Sequence, residues 1–139
     1  MKNKNILTIM AISLGLASCT TQTKPELNLN LNGEWKVITL AGEAVPETLN
    51  EPQITFDVAN KSFSSNTGVN TLNGSFTQDP EGNISFSDGP MTRMMGDSVS
   101  MAVEDNFVKA IAAAKTVTEA DGTLSLKDAD GKVVMTLKK

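Results

Sequence analysis

The feature that most constrains this chain is a series of short segments that alternate apolar and polar residues and end at turn residues. In one of them Ile54, Phe56 and Val58 share a face, because successive side chains of an extended chain point to opposite sides. The segments recur at the spacing of β-hairpins, which predicts an antiparallel meander rather than a parallel βαβ array. The predicted strands are Glu34–Leu40, Gln53–Val58, Ser62–Ser65, Thr71–Gln78, Ile84–Ser87, Thr116–Glu119, Thr123–Lys127 and Val133–Lys138.

One segment between these strands has a helical period. From Asp97 to Ala114, apolar residues recur three and four positions apart, as along one side of a helix. These residues are Val99, Val103, Phe107, Ala110, Ile111 and Ala114, whereas Glu104 is predicted to lie on another face. Asp97 or Ser98 suits the N-cap, since a side-chain oxygen there accepts a hydrogen bond from the first turn. The sequence therefore predicts an α+β fold of about eight antiparallel strands with one amphipathic helix.

Two segments near the start of the domain are open to more than one interpretation. Leu27–Asn32 alternates Leu and Asn, and it forms either a short strand with a leucine face or a linker that borders the fold. In Glu34–Leu40, Val37 lies on one face and Ile38 and Leu40 on the other. We therefore expect both faces of this strand to be at least partly covered. Residues 41–52 contain Gly and Pro and are predicted to form a loop.

The N-terminal residues have the organisation of a bacterial secretory signal. Two lysines precede an uncharged run from Ile6 to Ala17, which is too short to span a bilayer because spanning takes about 20 apolar residues. The run ends at Leu16-Ala17-Ser18-Cys19, which resembles the lipobox in which the cysteine becomes the lipidated N-terminus. We therefore expect residues 1–18 to be removed as a lipoprotein signal peptide. The alternative is an ordinary secretory leader with an incidental cysteine.

Cleavage before Cys19 would leave about 120 residues, which suits one domain with one core. We expect residues 19–30 to form a flexible tether and residues 31–139 to form that domain. The loss of two lysines changes the formal net charge from −4 to about −6, so neither nucleic acid nor an anionic membrane surface is expected as an electrostatic partner. Lipid on Cys19 would anchor the protein. Thr20, where an Asp would favour inner-membrane retention, indicates the outer membrane, with the domain facing the periplasm or the cell surface.

Several residue types that catalysis commonly uses are absent. The sequence has no histidine and no tyrosine, and Cys19 is its only cysteine, which removes His-dependent triads, the usual zinc sites and disulfides. No phosphate-binding glycine loop or nucleotide motif is present. The segment from Asp128 to Gly131 is the nearest approach to a calcium loop, but it lacks the Glu at the twelfth position and is typical of a tight hairpin turn. We therefore expect no metal, no cofactor and no enzymatic activity.

Three groups of residues resemble the motifs of a known family. They are Leu31-Asn32-Gly33-Glu34-Trp35-Lys36-Val37, then Ser65-Asn66-Thr67-Gly68-Val69-Asn70 followed by Asn73-Gly74-Ser75-Phe76, and Gly89-Pro90-Met91-Thr92-Arg93-Met94-Met95. With the helix and the last strands, they resemble the META domain family, which includes the HslJ-like heat-shock lipoproteins. The resemblance covers residues 31–138 and implies a small cracked antiparallel β-barrel with one helix. It implies no established biochemical activity.

Two positions depart from the family pattern. Members often carry one cysteine at the position of Val69 and a second at the position of Gly96, and both are replaced here. A reactive-thiol or disulfide role is therefore excluded for this chain. If the family cysteines pair, Val69 should cover the space above Gly96. A second candidate reason for Gly96 is a positive φ just before the helix start, which glycine adopts at low cost.

Polar and sulfur-containing side chains provide a candidate ligand or partner surface, consisting of Asn66, Thr67, Asn70, Arg93, Met94 and Met95. The polar residues at positions 66–70 either line a polar site or supply turn conformations and caps for a bent strand. The methionines near the third motif, among them Met91 and Met101, either adapt to apolar ligands and partners, bind Cu(I), or fill gaps in the core. Arg93 is expected to pair with a carboxylate or with carbonyls beside the barrel.

Three classes of function follow from these observations. The favoured class is a monomeric, non-enzymatic, lipid-anchored envelope protein that acts through contacts with another envelope protein, in stress tolerance or assembly. The second is a binder of an apolar small molecule or lipid tail inside the barrel, although an eight-stranded barrel can also fill itself with side chains. An enzyme based on paired carboxylates is the least favoured class.

Overall fold

The computed structural model describes residues 29–139. Its elements are β1 (Gly33–Leu40), β2 (Glu43–Ala44), β3 (Gln53–Asp57), β4 (Ser62–Asn66), β5 (Thr71–Gln78), β6 (Ile84–Met91), α1 (Ser98–Ala113), β7 (Thr116–Ala120), β8 (Thr123–Lys127) and β9 (Val133–Lys138). Each predicted strand is present, and only the short β2 falls in a region predicted as a loop. The predicted signal peptide, the lipidation site Cys19 and the tether up to residue 28 lie outside the described residues.

The strands form one curled antiparallel sheet. Their spatial order is β6-β5-β4-β3-β1-β9-β8-β7, and β2 pairs with β1 alone. The two edge strands meet at one end, where Ile84 N donates to Lys115 O (2.9 Å) and Val117 N donates to Gly82 O (2.8 Å). Beyond Ile84, β6 continues to Met91 with no strand on its outer side within residues 29–139. The sheet is therefore a half-barrel that is joined near Ile84 and open toward Met91.

The concave face of the sheet and one side of α1 enclose a single core. Phe56 and Phe76 meet edge to face with ring centroids 5.0 Å apart, and Phe63 meets Phe86 in the same way at 5.3 Å. Phe107 of α1 belongs to the same cluster and has no exposed surface. These contacts confirm the predicted combination of antiparallel strands with one amphipathic helix.

The orientation of α1 agrees with the predicted apolar stripe at five of its six residues, which are Val103, Phe107, Ala110, Ile111 and Ala114. The sixth, Val99, lies in the first turn and is 48% exposed. Glu104 was predicted to lie on a face other than the apolar stripe, but it is buried with the stripe, with 5% of its surface exposed. The N-cap is Asp97, whose side chain accepts a hydrogen bond from Ser100 N at 2.8 Å.

A β-bulge changes which residues of β1 are covered. The register between β1 and β9 shifts between Val37 and Thr39. Because a bulge moves the following side chains to the opposite face, Leu40 joins Val37 in the core. Ile38 remains 38% exposed, so only one face of this strand is well covered.

Val58 was predicted to continue the buried face of β3, and this is wrong because the strand ends one residue earlier. The carboxylate of Asp57 accepts hydrogen bonds from the backbone and side-chain nitrogens of Asn60, at 3.2 and 2.7 Å. This turn directs Val58 outward, where it is 40% exposed.

The alternating Leu-Asn segment is not a strand over the residues that the structure describes, although its leucines are buried. Leu29 and Leu31 both belong to the core cluster. The carbonyl of Leu31 accepts a hydrogen bond from the Trp35 indole nitrogen at 2.8 Å. The described part of this segment therefore borders the sheet and contributes its leucines to the core.

Candidate functional site

The segment from Asn66 to Asn70 leaves β4 and passes close to α1. Gly68 has φ +117°, and a Cβ on this residue would lie 3.1 Å from Ser100 O. Glycine is therefore required both by the backbone conformation and by the close approach to the helix. Asn50 fixes the segment from the other side, since its backbone and side-chain nitrogens donate to Gly68 O and Val69 O, each at 2.9 Å.

Glu104 joins this segment to the helix. Its Oε1 accepts hydrogen bonds from Thr67 Oγ1 (2.6 Å), Asn70 N (3.0 Å) and Asn70 Nδ2 (2.9 Å). Its Oε2 accepts from the same Nδ2 at 3.1 Å. The carboxylate thus gathers side-chain and backbone donors of one loop into a buried network.

The side chain of Asn70 also holds the loop that precedes α1. Its Oδ1 accepts from Met94 N at 2.6 Å and from Thr92 Oγ1 at 2.9 Å, and its Nδ2 donates to Met94 O at 3.0 Å. One amide therefore links β5, the loop before the helix and Glu104. We call the hydrogen-bonded set of Thr67, Asn70, Thr92, Met94 and Glu104 the amide network.

The amide network decides how the polar candidates are placed. Thr67 and Asn70 are buried and form hydrogen bonds with other residues of the protein. This agrees with the interpretation that the polar residues at positions 66–70 supply turn conformations and caps for a bent strand. Asn66 lies apart from the network at the end of β4, opposite Gln53 and Thr71. The structure thus brings Thr67, Asn70 and Met94 together but does not bring Asn66 to them.

Beside the amide network is an open groove of about 890 Å³ between α1 and the open end of β6. Its apolar lining comes from β5, β6, the following loop and α1, and consists of Leu72, Met91, Met94, Met95, Met101 and Val108. Asn70 and Glu104 also contribute to its wall. We call this space the methionine groove.

Methionines are concentrated in this groove. Residues 29–139 contain five methionines, and all but Met135 line it. Met94 is 58% exposed and Met95 is 87% exposed, so these two do not fill gaps in the core. Flexible, polarisable thioethers at a surface suit contact with varied apolar groups.

Charged residues surround the methionine groove. Asp88, Arg93, Asp105 and Lys109 line it. Within residues 29–139, the single ion pair closer than 4.0 Å joins Lys36 and Glu51, far from this site in the sequence. Arg93 was expected to pair with a carboxylate or with carbonyls, and of these the carboxylate pair is not formed within the described residues, where the side chain is exposed at the rim.

The two family cysteine positions are neighbours in the structure. Val69 is buried, and its methyl groups pack against Gly96. Gly96 does not have a positive φ, so the second candidate reason for a glycine at this position is wrong. The absence of a side chain at position 96 is explained by Val69.

The acidic turn between β8 and β9 has the geometry of a hairpin turn. The carboxylate of Asp128 accepts from the backbone nitrogens of Asp130 and Lys132, each at 2.9 Å. In the region that the structure describes, no three Asp, Glu, His or Cys residues are grouped so as to hold a metal ion. No helix in the same region combines the length and apolar character needed to cross a bilayer.

Glu104 is the site residue that the sequence interpretation missed. It lies on the same face of α1 as three other residues, because the series Ser100, Glu104, Phe107 and Ile111 has successive spacings of four, three and four. All four residues are buried. A carboxylate that interrupts a buried helical stripe is the signal that would have identified it.

Comparison with known proteins agrees with this architecture. The family model described as META domain matches residues 27–139. No curated protein matches the sequence at a significant level.

Solved structures of similar fold have low sequence identity to this chain. A DUF4847 family protein from Bacteroides vulgatus has TM-score 0.56 and 16% identity, with 78% of this chain and 92% of that chain covered. An NMR structure from Burkholderia xenovorans has TM-score 0.58 and 19% identity, with 91% and 97% covered. A further NMR structure has TM-score 0.60 and 21% identity, with 84% and 95% covered. At these identities the likeness shows the fold alone.

Proposed function

This chain belongs to the META domain family, and we propose that it is a non-enzymatic, lipid-anchored envelope protein whose methionine groove binds another protein. The observation that carries the proposal is the gathering of four methionines around one open groove. Methionine-rich surfaces are frequent at sites that bind varied partners, because the flexible thioether side chain adapts to different shapes. The envelope part of the proposal rests on the signal-like residues 1–18 and on Cys19.

The groove favours a protein partner over a ligand enclosed by the sheet. The concave face is packed with aromatic rings, since Phe56 lies 5.0 Å from Phe76 and 6.2 Å from Phe86. The methionine groove, by contrast, is open to solvent along the outer edge of β6. An exposed strand edge beside an apolar groove offers both backbone hydrogen bonds and side-chain contacts to a partner. We further infer that the half-barrel is the cracked barrel expected of the family, split along this edge.

The first described residue of the chain lies away from the methionine groove. Leu29 lies beside the end of β5, where Gln78 Nε2 approaches Leu29 O at 3.5 Å. Leu72, which lines the groove, lies near the other end of β5. Six residues of a strand span about 20 Å, so Leu29 lies about that far along the strand from Leu72 of the groove. The groove is therefore free of this described N-terminal segment, and we propose that it binds a protein involved in envelope stress tolerance or assembly.

Photo-crosslinking in living cells tests the proposal. A photoreactive amino acid at position 95 should capture one reproducible envelope protein, because Met95 is the most exposed apolar residue of the groove. The matched control is the same amino acid at position 58, since Val58 is an exposed apolar residue in the turn that follows β3, at the end of the sheet away from the groove. Equal capture at both positions, or capture of a lipid or small molecule alone, would contradict a protein-binding groove.

The anchor is tested separately by fractionation. Cys19→Ala should release the protein from washed membranes, because acyl chains contribute about 0.8 kcal/mol per buried CH₂ to membrane binding. A variant that stays in the outer-membrane fraction would show that residues other than the lipidated cysteine hold it there.

A further inference from the structure

The carboxylate of Glu104 has unequal hydrogen bonding at its two oxygens. Oε1 accepts three hydrogen bonds, from Thr67 Oγ1, Asn70 N and Asn70 Nδ2. Oε2 accepts only one, at 3.1 Å, from the Nδ2 group that already serves Oε1. Since an ionised carboxylate offers about four acceptor positions, Oε2 has capacity for another donor.

Glu104 also has no cationic partner among the described residues. No Lys or Arg nitrogen of residues 29–139 lies within 4.0 Å of it. Its side chain is nevertheless buried, with 5% of its surface exposed, and a buried carboxylate without a cation is costly. Glu104 is also one of the residues that line the methionine groove.

The surroundings of Glu104 define the chemistry of such a group. Leu72, Met91 and Met101 line the same groove as Glu104, so an entering chain would find apolar carbon and sulfur beside a carboxylate. A lysine side chain matches this combination, with a four-carbon stem that packs on apolar surface and a compact ammonium at its end. Arginine fits less well, because its planar fork prefers two free carboxylate oxygens and Oε1 is already occupied.

We propose that the methionine groove receives a lysine side chain of the partner protein, with its ammonium hydrogen-bonded to Glu104 Oε2. This inference rests on the proposed function and names the residue that the partner would present. The sequence carries 16 acidic and 12 basic residues, so two copies of this chain would repel each other. A different protein that presents a lysine is therefore favoured over self-association. The groove is lined by three acidic residues, Asp88, Glu104 and Asp105, and by two basic residues, Arg93 and Lys109. One positive charge on the partner therefore balances the charge of the groove.

NMR titration of the full-length protein in lipid nanodiscs tests this inference, with methionine methyl groups as reporters. The probe is Nα-acetyl-lysine methylamide, and its matched control is the same compound acetylated on Nζ, which is neutral. Saturable shifts of the Met91 and Met101 methyls are expected with the probe, at an affinity about tenfold higher than with the acetylated control. Met135, which is fully buried in the core, reports whether the fold is intact.

Two variants locate the charge that is responsible. Glu104→Gln should weaken binding of the lysine probe about tenfold, and Glu119→Gln, which makes the same change at an exposed carboxylate of β7 outside the groove, should leave the affinity within about twofold. If Glu104→Gln perturbs the Met135 signal, the comparison of the two probes on the unmodified protein still decides the question. Equal binding of both probes, no saturable shift, or an equal loss in both variants would overturn the inference. Capture of a partner at position 95 without lysine-selective binding would overturn this inference alone and leave the proposed function standing.

Discussion

Val69 occupies the space that a side chain on Gly96 would need. A Cβ built on Gly96 would lie 2.6 Å from Val69 Cγ2 and 3.5 Å from Val69 Cβ. The first distance is far below van der Waals contact, whereas the second lies within the range of Cβ–Cβ distances in disulfides, about 3.5 to 4.5 Å. The valine and glycine of this chain therefore form a packed contact at a place where two cysteines would be close enough to bridge.

The double variant Val69→Cys, Gly96→Cys should consequently form a disulfide when it is exposed to an oxidising compartment. Closing this loop should raise the free energy of unfolding by about 2 to 4 kcal/mol, less any strain in the bridge. Non-reducing electrophoresis and urea unfolding with and without reductant measure the two effects. Gly96→Ala alone should destabilise the protein, because its Cβ would overlap Val69. A stable Gly96→Ala variant would contradict the contact.

Phe107→Ala should be among the most damaging single substitutions. The ring is fully buried in the core, and large-to-small changes of this kind typically cost about 3 to 5 kcal/mol for Phe. Val99→Ala is the matched control on the same helix, since Val99 is 48% exposed and should lose less than about 1 kcal/mol. Urea denaturation compares the two variants, and a similar loss in both would show that the helix is oriented differently.

Asn70→Ala should destabilise the protein, because it removes the hydrogen-bond partner of several neighbouring polar groups. It would leave Met94 N, Met94 O and part of the Glu104 carboxylate without their partner. Each buried polar group left unsatisfied costs about 1 to 3 kcal/mol. Asn73→Ala, an exposed asparagine on the next strand, is the control and should change stability little. If the two variants unfold at the same urea concentration, the amide network does not hold the loop before α1.

Asp97 should make the stability of the helix start depend on pH. The backbone N–H of Ser100, and then its hydroxyl, donate to the carboxylate and hold the pKa of Asp97 below its ordinary value. Because the pKa is lower in the folded state, the ionised group stabilises the fold above about pH 4, and this contribution is lost as the pH falls through the folded pKa. Wild type should therefore be more stable than Asp97→Asn at pH 6, and the difference should shrink near pH 2.5. A difference in urea midpoint that stays constant would contradict this.

The strands and the helix could be predicted because their hydrophobic periods are local properties of the sequence. Thr123–Lys127 and Val133–Lys138 have the predicted bounds, and α1 differs by one residue at each end. The predicted faces of Leu40 and Val58 were wrong. The bulge in β1 and the early turn after β3 depend on how these strands pair with their neighbours, which the local pattern does not specify.

The candidate site was predictable only in part. The segment around Asn70 and the methionines near residue 94 stand out in the sequence, but their relation to each other depends on three elements that are far apart along the chain. Glu104 was placed on a face other than the apolar stripe, and carboxylates rarely lie in a core. Its burial depends on donors from Thr67 and Asn70, and no local pattern in the helix specifies those partners.

The most direct test of the account is the affinity of the partner captured at position 95 for the purified protein. The double variant Met94→Ser, Met95→Ser removes the most exposed thioethers of the groove, and Val58→Ser makes a similar polar change far from it. We predict that the double variant weakens binding about tenfold or more, as expected when central apolar contacts of an interface are lost, while Val58→Ser changes the affinity by less than about twofold. An unchanged affinity in the double variant, or an equal loss in both variants, would contradict the proposal that the methionine groove is the binding surface.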